Sequence, residues 1–219
     1  MIQSIKEITG VFEEIDSKLD SKVSVFVIGG GALMFHKLKS LTKDIDLIVR
    51  TKKEYKTLCS ALKKLGFKET TLTKGGHRLD ASAVLEKGDA RIDLFLEKVC
   101  GKMVFSEKMV KRSEKIFDGK KLGMFSSSIE DIFVFKSITD REGDKVDCEE
   151  IIKQKPAWEI ILEEIKEQSV KGEDVWITYI NERLIEFEEK GYKNPILKET
   201  EKLTEKFYEN LEKKLKNKL

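Results

Sequence analysis

Residues 25–49 read VFVIGGGALMFHKLKSLTKDIDLIV, and this stretch decides the fold. An apolar run ends in Gly29-Gly30-Gly31, a segment of helical pattern follows, and a second apolar run opens on Asp44 and Asp46, one residue apart. A strand places alternate side chains on one face. The two aspartates therefore share a face, while Ile45, Leu47 and Val49 point into the opposite layer. Paired carboxylates beside glycine-rich backbone suit a divalent cation and a phosphate group. Taken alone, an Asp-x-Asp pair is more often a solvated strand end and a glycine triplet more often a tight turn, so the rest of the chain has to choose.

Working outward, Ile5, Ile8, Phe12, Ile15 and Leu19 recur every three or four residues and predict an amphipathic first helix. Strands are expected at 23–28 and 44–49, a short helix at 32–41, and a helix at about 53–65 stopped by Gly66. Alternation on both sides of Lys87-Gly88-Asp89 signals a hairpin. Its second arm carries Arg91, Asp93 and Phe95 on one face, so a third carboxylate arrives on a strand that can lie beside 44–49. Another strand is expected at 121–125.

Beyond Phe125 the pattern becomes helix after helix. Ser127 to Glu130 has the spacing of a capping box. Trp158, Ile161, Leu162 and Ile165 form one stripe, and Trp176, Ile180, Leu184 and Phe187 a second. After Gly191 and Asn194-Pro195, Leu203, Phe207, Leu211 and Leu215 are expected on the inner face of a last helix. The chain thus divides into residues 1–125, of mixed strands and helices, and residues 126–219, all helical.

The composition narrows the partners. Lys and Arg number 42 against 40 Asp and Glu, a net charge of +2, which argues against a surface uniformly positive for nucleic acid. Cys59, Cys100 and Cys148 fit no metal-ligand spacing and read as small reduced side chains, and only His36 and His77 are available for a zinc site. Both histidines read as ordinary helix and loop residues, with His77-Arg78 as a secondary candidate for substrate contact ahead of the hairpin. No apolar run approaches the roughly 20 residues that span a bilayer. The charged, helically spaced N-terminus is no signal peptide, so a cytoplasmic location is expected by default.

Ile28-Gly29-Gly30, thirteen intervening residues, then Asp44-Ile45-Asp46-Leu47 resembles the signature of the nucleotidyltransferase superfamily, which includes DNA polymerase beta and the minimal nucleotidyltransferases. Arg91-Ile92-Asp93-Leu94-Phe95 resembles the strand that brings the third acidic residue of that family. Lys136, Arg141, Asp144 and Asp147 resemble the Lys, Arg, Asp-x-x-Asp pattern of the AbiEii-like toxin nucleotidyltransferases. The resemblance implies an α/β (α+β) nucleotidyltransferase fold, with a small mixed sheet flanked by helices in residues 1–125 and an all-helical region in 126–219.

The resemblance also implies roles. Asp44 and Asp46 would hold a Mg²⁺ ion on a nucleoside triphosphate (NTP), with Asp46 bridging to a second ion. Asp93 would complete that second site and orient or deprotonate the attacking hydroxyl. Mn²⁺ is the alternative metal. Gly29, Gly30 and Gly31 would meet the phosphates through backbone groups, and Lys136 would reach the triphosphate. Arg141, Asp144 and Asp147 can equally tie the helices together. The acceptor would be RNA, particularly tRNA, or a protein, in keeping with a toxin–antitoxin role. The alternatives are a small antibiotic-type acceptor and a catalytically weak binding or antitoxin-like module.

Overall fold

The computed structural model describes residues 1–70, 81–101, 103–171 and 174–217. His77 and Arg78 lie outside the described residues. The chain forms two compact units, Met1–Ile132 and Phe133–Leu219.

In the first unit the elements run α1 (Ile5–Lys18), β1 (Val23–Ile28), α2 (Gly29–Phe35), β2 (Ile45–Val49), α3 (Lys52–Lys64), β3 (Lys68–Glu69), β4 (Ala83–Lys87), β5 (Ala90–Leu96), β6 (Lys98–Val99), β7 (Met103–Val104), α4 (Glu107–Arg112), β8 (Glu114–Asp118) and β9 (Leu122–Ser126). Among the described residues a seven-stranded sheet has the order β3-β4-β5-β2-β1-β9-β8. It is mixed: β1 pairs antiparallel with β2 and parallel with β9, and β2 pairs parallel with β5. The central strands β1 and β2 are largely apolar because both their faces are covered: apart from the exposed Ser24 β1 is buried throughout, and all five β2 residues, Asp46 among them, are buried.

Local chemistry places the helices where the pattern expects them. Ser4 caps α1 by accepting from the Glu7 N–H, while its hydroxyl donates to Glu7 Oε1. Thr51 and Glu54 repeat the device at α3. Ile8, Phe12 and Ile15 of α1 are fully buried. Gly88, in the left-handed region at φ 57°, turns β4 into β5 at the expected hairpin.

Three expectations shift. The second helix starts at Gly29 rather than at residue 32 and ends at Phe35, because Lys37 turns left-handed at φ 61° and closes it. The cap of the helix after β9 is Ser128, which accepts from the Asp131 N–H and donates to its carboxylate. Ser127 is drawn into the sheet instead, its N–H bonding Val27 O. Strand β8 and its Asp118-Gly119 turn were not expected from the alternation, although Asp-Gly is a hairpin signal.

Helix α5 (Ile129–Ser137) starts in the first unit and ends in the second. The second unit continues with α6 (Glu142–Lys153), α7 (Trp158–Lys171), α8 (Trp176–Glu189) and α9 (Leu197–Lys216). The Phe133 ring packs against Trp158 at 5.5 Å and Phe187 at 6.3 Å, and Ile161, Ile165, Ile180 and Leu184 are buried. Of the inner face expected for the last helix, Leu203 and Phe207 are half-buried, whereas Leu211 and Leu215 are exposed; the buried residue of the helix is Thr200, in its first turn. At about 1.5 Å per residue, the 20 residues of α9 outrun the 14 of α8 against which it packs. Among the described residues no helix is long and apolar enough to cross a membrane.

Candidate active site

One row across the sheet builds the site. Val84 of β4 pairs with Asp93 of β5, Asp93 with Asp46 of β2, and Asp46 with Ile28, the last residue of β1. Residues paired in register share a face, one strand spacing of roughly 4.8 Å apart. Asp46 and Asp93, 47 residues apart in sequence, therefore stand side by side, and both are buried. Asp44 sits at the bend just before β2, half-buried, and its carbonyl accepts a 3.1 Å hydrogen bond from Thr42 Oγ1.

The glycine triplet lies at the end of the same row, and each glycine has a neighbour in the place of a side chain. Gly29 adopts φ 61°, and a Cβ there would lie 2.2 Å from Asp46 Oδ2. A Cβ on Gly30 would lie 2.7 Å from Thr42 Oγ1, and one on Gly31 would meet Val27 at 3.3 Å. The carboxylate of Asp46 thus rests on the backbone of Gly29, which only glycine permits in this conformation. Thr42 is held in turn by two backbone hydrogen bonds with Ile2, Ile2 N–H to Thr42 O at 2.9 Å and the reverse at 3.0 Å.

Asp93 is held by an arginine that carried no role in the sequence reading. Arg91 donates from Nε to Oδ1 at 2.7 Å and from Nη2 to Oδ2 at 2.8 Å, a bidentate pair along one face of β5. The hydrogen bonds to Asp93 raise the Arg91 pKa most, against partial desolvation, and the charges of Asp93, Asp44 and Glu86 add to the rise. The strand alternation that put Arg91 on the face of Asp93 was the signal available for it.

Carboxylate oxygens are the donors a hard cation such as Mg²⁺ takes, and the register brings Asp46 and Asp93 together with Asp44 two residues upstream, so the donor set fits such an ion. Among the described residues, however, no three His, Cys, Asp or Glu side chains are gathered as a ready-made metal site.

Lys136 belongs to the second unit. It is buried, its Nζ bonding Asp144 Oδ1 at 2.6 Å and Asp147 Oδ2 at 2.8 Å. Arg141 adds a 2.6 Å bond to Asp144, and Arg183 bonds Thr139 O at 2.7 Å. Burial alone depresses a lysine, yet the two aspartates more than offset it and the Lys136 pKa is raised. Here Lys136, Arg141, Asp144 and Asp147 tie α5 to α6. His36 Nε2 bonds Ser127 O at 2.7 Å, a fixed end to α2. Of the cysteines, Cys148 is fully enclosed and burial pushes its thiol up to about 12.

A family model described as a nucleotidyltransferase of unknown function (DUF6036) matches residues 5–190. No curated protein matches the sequence. Among solved structures, that of ANT(2'')-Ia in complex with adenylyl-2''-tobramycin is similar at 15% identity and a TM-score of 0.50, covering 75% of this chain and 98% of the other. The solution structure of the antibiotic-resistance factor ANT(2'')-Ia is similar at 13% identity and a TM-score of 0.48, covering 74% and 89%. At such identity the likeness is one of fold.

Proposed function

This chain belongs to the DUF6036 nucleotidyltransferase family, and from that premise we propose that it moves a nucleoside monophosphate from a Mg²⁺-bound NTP to a hydroxyl acceptor in the cytoplasm. The observation that carries the reading is the sheet row in which Asp46 faces Asp93 while the Asp46 carboxylate rests on Gly29.

In this reading Asp44 and Asp46 would hold the metal that accompanies the triphosphate, Asp46 and Asp93 would hold a second ion, and the backbone of Gly29, Gly30 and Gly31 would meet the phosphates. The bound metal supplies charge neutralisation on the phosphate oxygens. Asp93 takes the proton of the acceptor hydroxyl, whose oxygen bonds the α-phosphorus while the bond from that phosphorus to the bridging α–β oxygen breaks. Pyrophosphate leaves with the electron pair. Lys136 already holds two carboxylate partners, so in this proposal it organises the helical region. Catalysis is assigned to residues 1–125 and a supporting role to the helical region 126–219, whose helices begin at Ile129.

The acceptor we favour is RNA, particularly tRNA, or a protein. The second reading is a small antibiotic-type hydroxyl compound, which the bound adenylyl-2''-tobramycin of the ANT(2'')-Ia structure favours. α-³²P-labelled NTPs with Mg²⁺ are supplied in turn with total tRNA, with the protein itself and with tobramycin. Label in one acceptor, lost in Asp46→Asn, is the expected result. No label from any of the four NTPs into any acceptor would sink the proposal.

A further inference from the structure

Arg91 and Asp93 share a face of β5, and Glu86 of β4 is the direct antiparallel partner of Arg91 on that same face. The guanidinium therefore has one carboxylate two residues along its own strand and one across the hairpin, and the charge of Asp44 acts on it as well. It engages Asp93 with both arms of its fork. The same Asp93 oxygens are the ones a cation bridging from Asp46 would need, and among the described residues no three acidic side chains are gathered for a metal.

We propose that Arg91 is the resident counter-ion of the metal-free site, which holds Asp93 until a divalent cation arrives, then yields that carboxylate and moves onto Glu86. The inference rests on the metal reading above and adds a step to it. A guanidinium is a monovalent, always-charged stand-in for a cation, and it competes for Asp93 with any ion that Asp46 begins to bind. The exchange is affordable because the pair is not sealed: the Arg91 side chain is 39% exposed, so water takes over its hydrogen bonds as it moves. Glu86 is exposed, and among the described residues its hydrogen bond is the one from Thr70 Oγ1 to its Oε2 at 2.9 Å. The short hairpin turn holds β4 and β5 in register while the side chain changes partner. Arg91 acts here as a positioning residue, setting when Asp93 is available.

The test is Mn²⁺ binding to metal-free, nucleotide-free protein, followed by the electron paramagnetic resonance signal of free Mn²⁺. Arg91→Gln is expected to bind Mn²⁺ about tenfold more tightly than wild type, the scale of one lost charge-assisted pair. Arg91→Lys, which keeps the charge but loses the fork, should fall between. Glu86→Gln should bind a few-fold more weakly, its arginine having lost the alternative partner. The gain in Arg91→Gln should vanish in an Asp93→Asn background. Equal or weaker binding by Arg91→Gln, with measurable wild-type binding and an unchanged circular dichroism spectrum, would overturn the counter-ion role and leave the metal reading standing. Absence of Mn²⁺ binding by wild type and every variant would overturn both.

Discussion

Two clusters of aspartates and basic side chains look alike in sequence and are held in different ways. On the sheet, Asp93 (side chain 10% exposed) takes one guanidinium that is itself 39% exposed. In the helical unit, the Lys136, Asp144 and Asp147 side chains are each at most 8% exposed. An ion pair open to water exchanges partners at low cost, whereas a buried pair that loses one member leaves an uncompensated charge. The first arrangement suits a carboxylate that has to be recruited, and the second a carboxylate that has to stay.

The sharpest way to break that contrast is to neutralise one aspartate on the sheet. Asp46→Asn should lower label transfer by about 10³-fold or more, since several kcal/mol of charge stabilisation in the transition state depend on the metal. Its melting temperature should be unchanged or raised, because neighbouring carboxylates repel one another without a metal. A protein unfolded by this change would make Asp46 a structural residue. On the helical side the expectation reverses. Lys136→Met should lower the unfolding free energy, measured by urea titration, by about 3–5 kcal/mol, while transfer per folded molecule well below the melting temperature persists. A variant as stable as wild type but without transfer would return Lys136 to the nucleotide.

The glycines offer a smaller and cleaner test. Gly29 and Gly88 both adopt left-handed backbone, at φ 61° and 57°, but an added Cβ meets Asp46 at Gly29 and open space at Gly88. Gly88→Ala should cost only the backbone strain, about 1–2 kcal/mol. Gly29→Ala should cost more than Gly88→Ala in a thermal melt and, unlike it, impair transfer by displacing Asp46. Equal costs and equal activities would mean that Asp46 moves aside freely.

Much of this is legible in the sequence. The apolar runs of β1 and β2, the glycine-to-aspartate spacing and the Gly88 hairpin are local patterns, and local patterns survive folding when burial agrees with them. The neighbouring of Asp46 and Asp93 needed strand order, which the family resemblance implied and periodicity alone did not. The partner of Lys136 was hidden because a lysine on a helix looks the same whether it meets water or two aspartates. The one-residue shift of the cap from Ser127 to Ser128 depends on Ser127 bonding Val27, a contact 100 residues away in sequence. Leu211 and Leu215 follow a core period on a helix longer than its partner, and periodicity carries no information about where the partner ends.

The smallest expected effect is in the acid dependence of the helical cluster. Burial by itself raises the Asp144 carboxyl, but the charge and hydrogen bond of Lys136, then Thr139 and Arg141, outweigh it and leave its pKa below the ordinary 3.8. A carboxylate whose folded pKa is depressed contributes stability that is fully present above its unfolded value and is lost as the pH falls through the folded one. The urea midpoints of wild type and Asp144→Asn should therefore differ by a constant amount from neutrality down to about pH 5 and converge only below about pH 4. Convergence already at pH 6 would mean that the Asp144 carboxylate is not held by its cations in the folded protein. A difference that persists undiminished at the lowest pH at which both variants stay folded would mean that Asp144 supports the helices through packing, and the contrast between an exchangeable pair on the sheet and a locked one among the helices would lose its electrostatic basis.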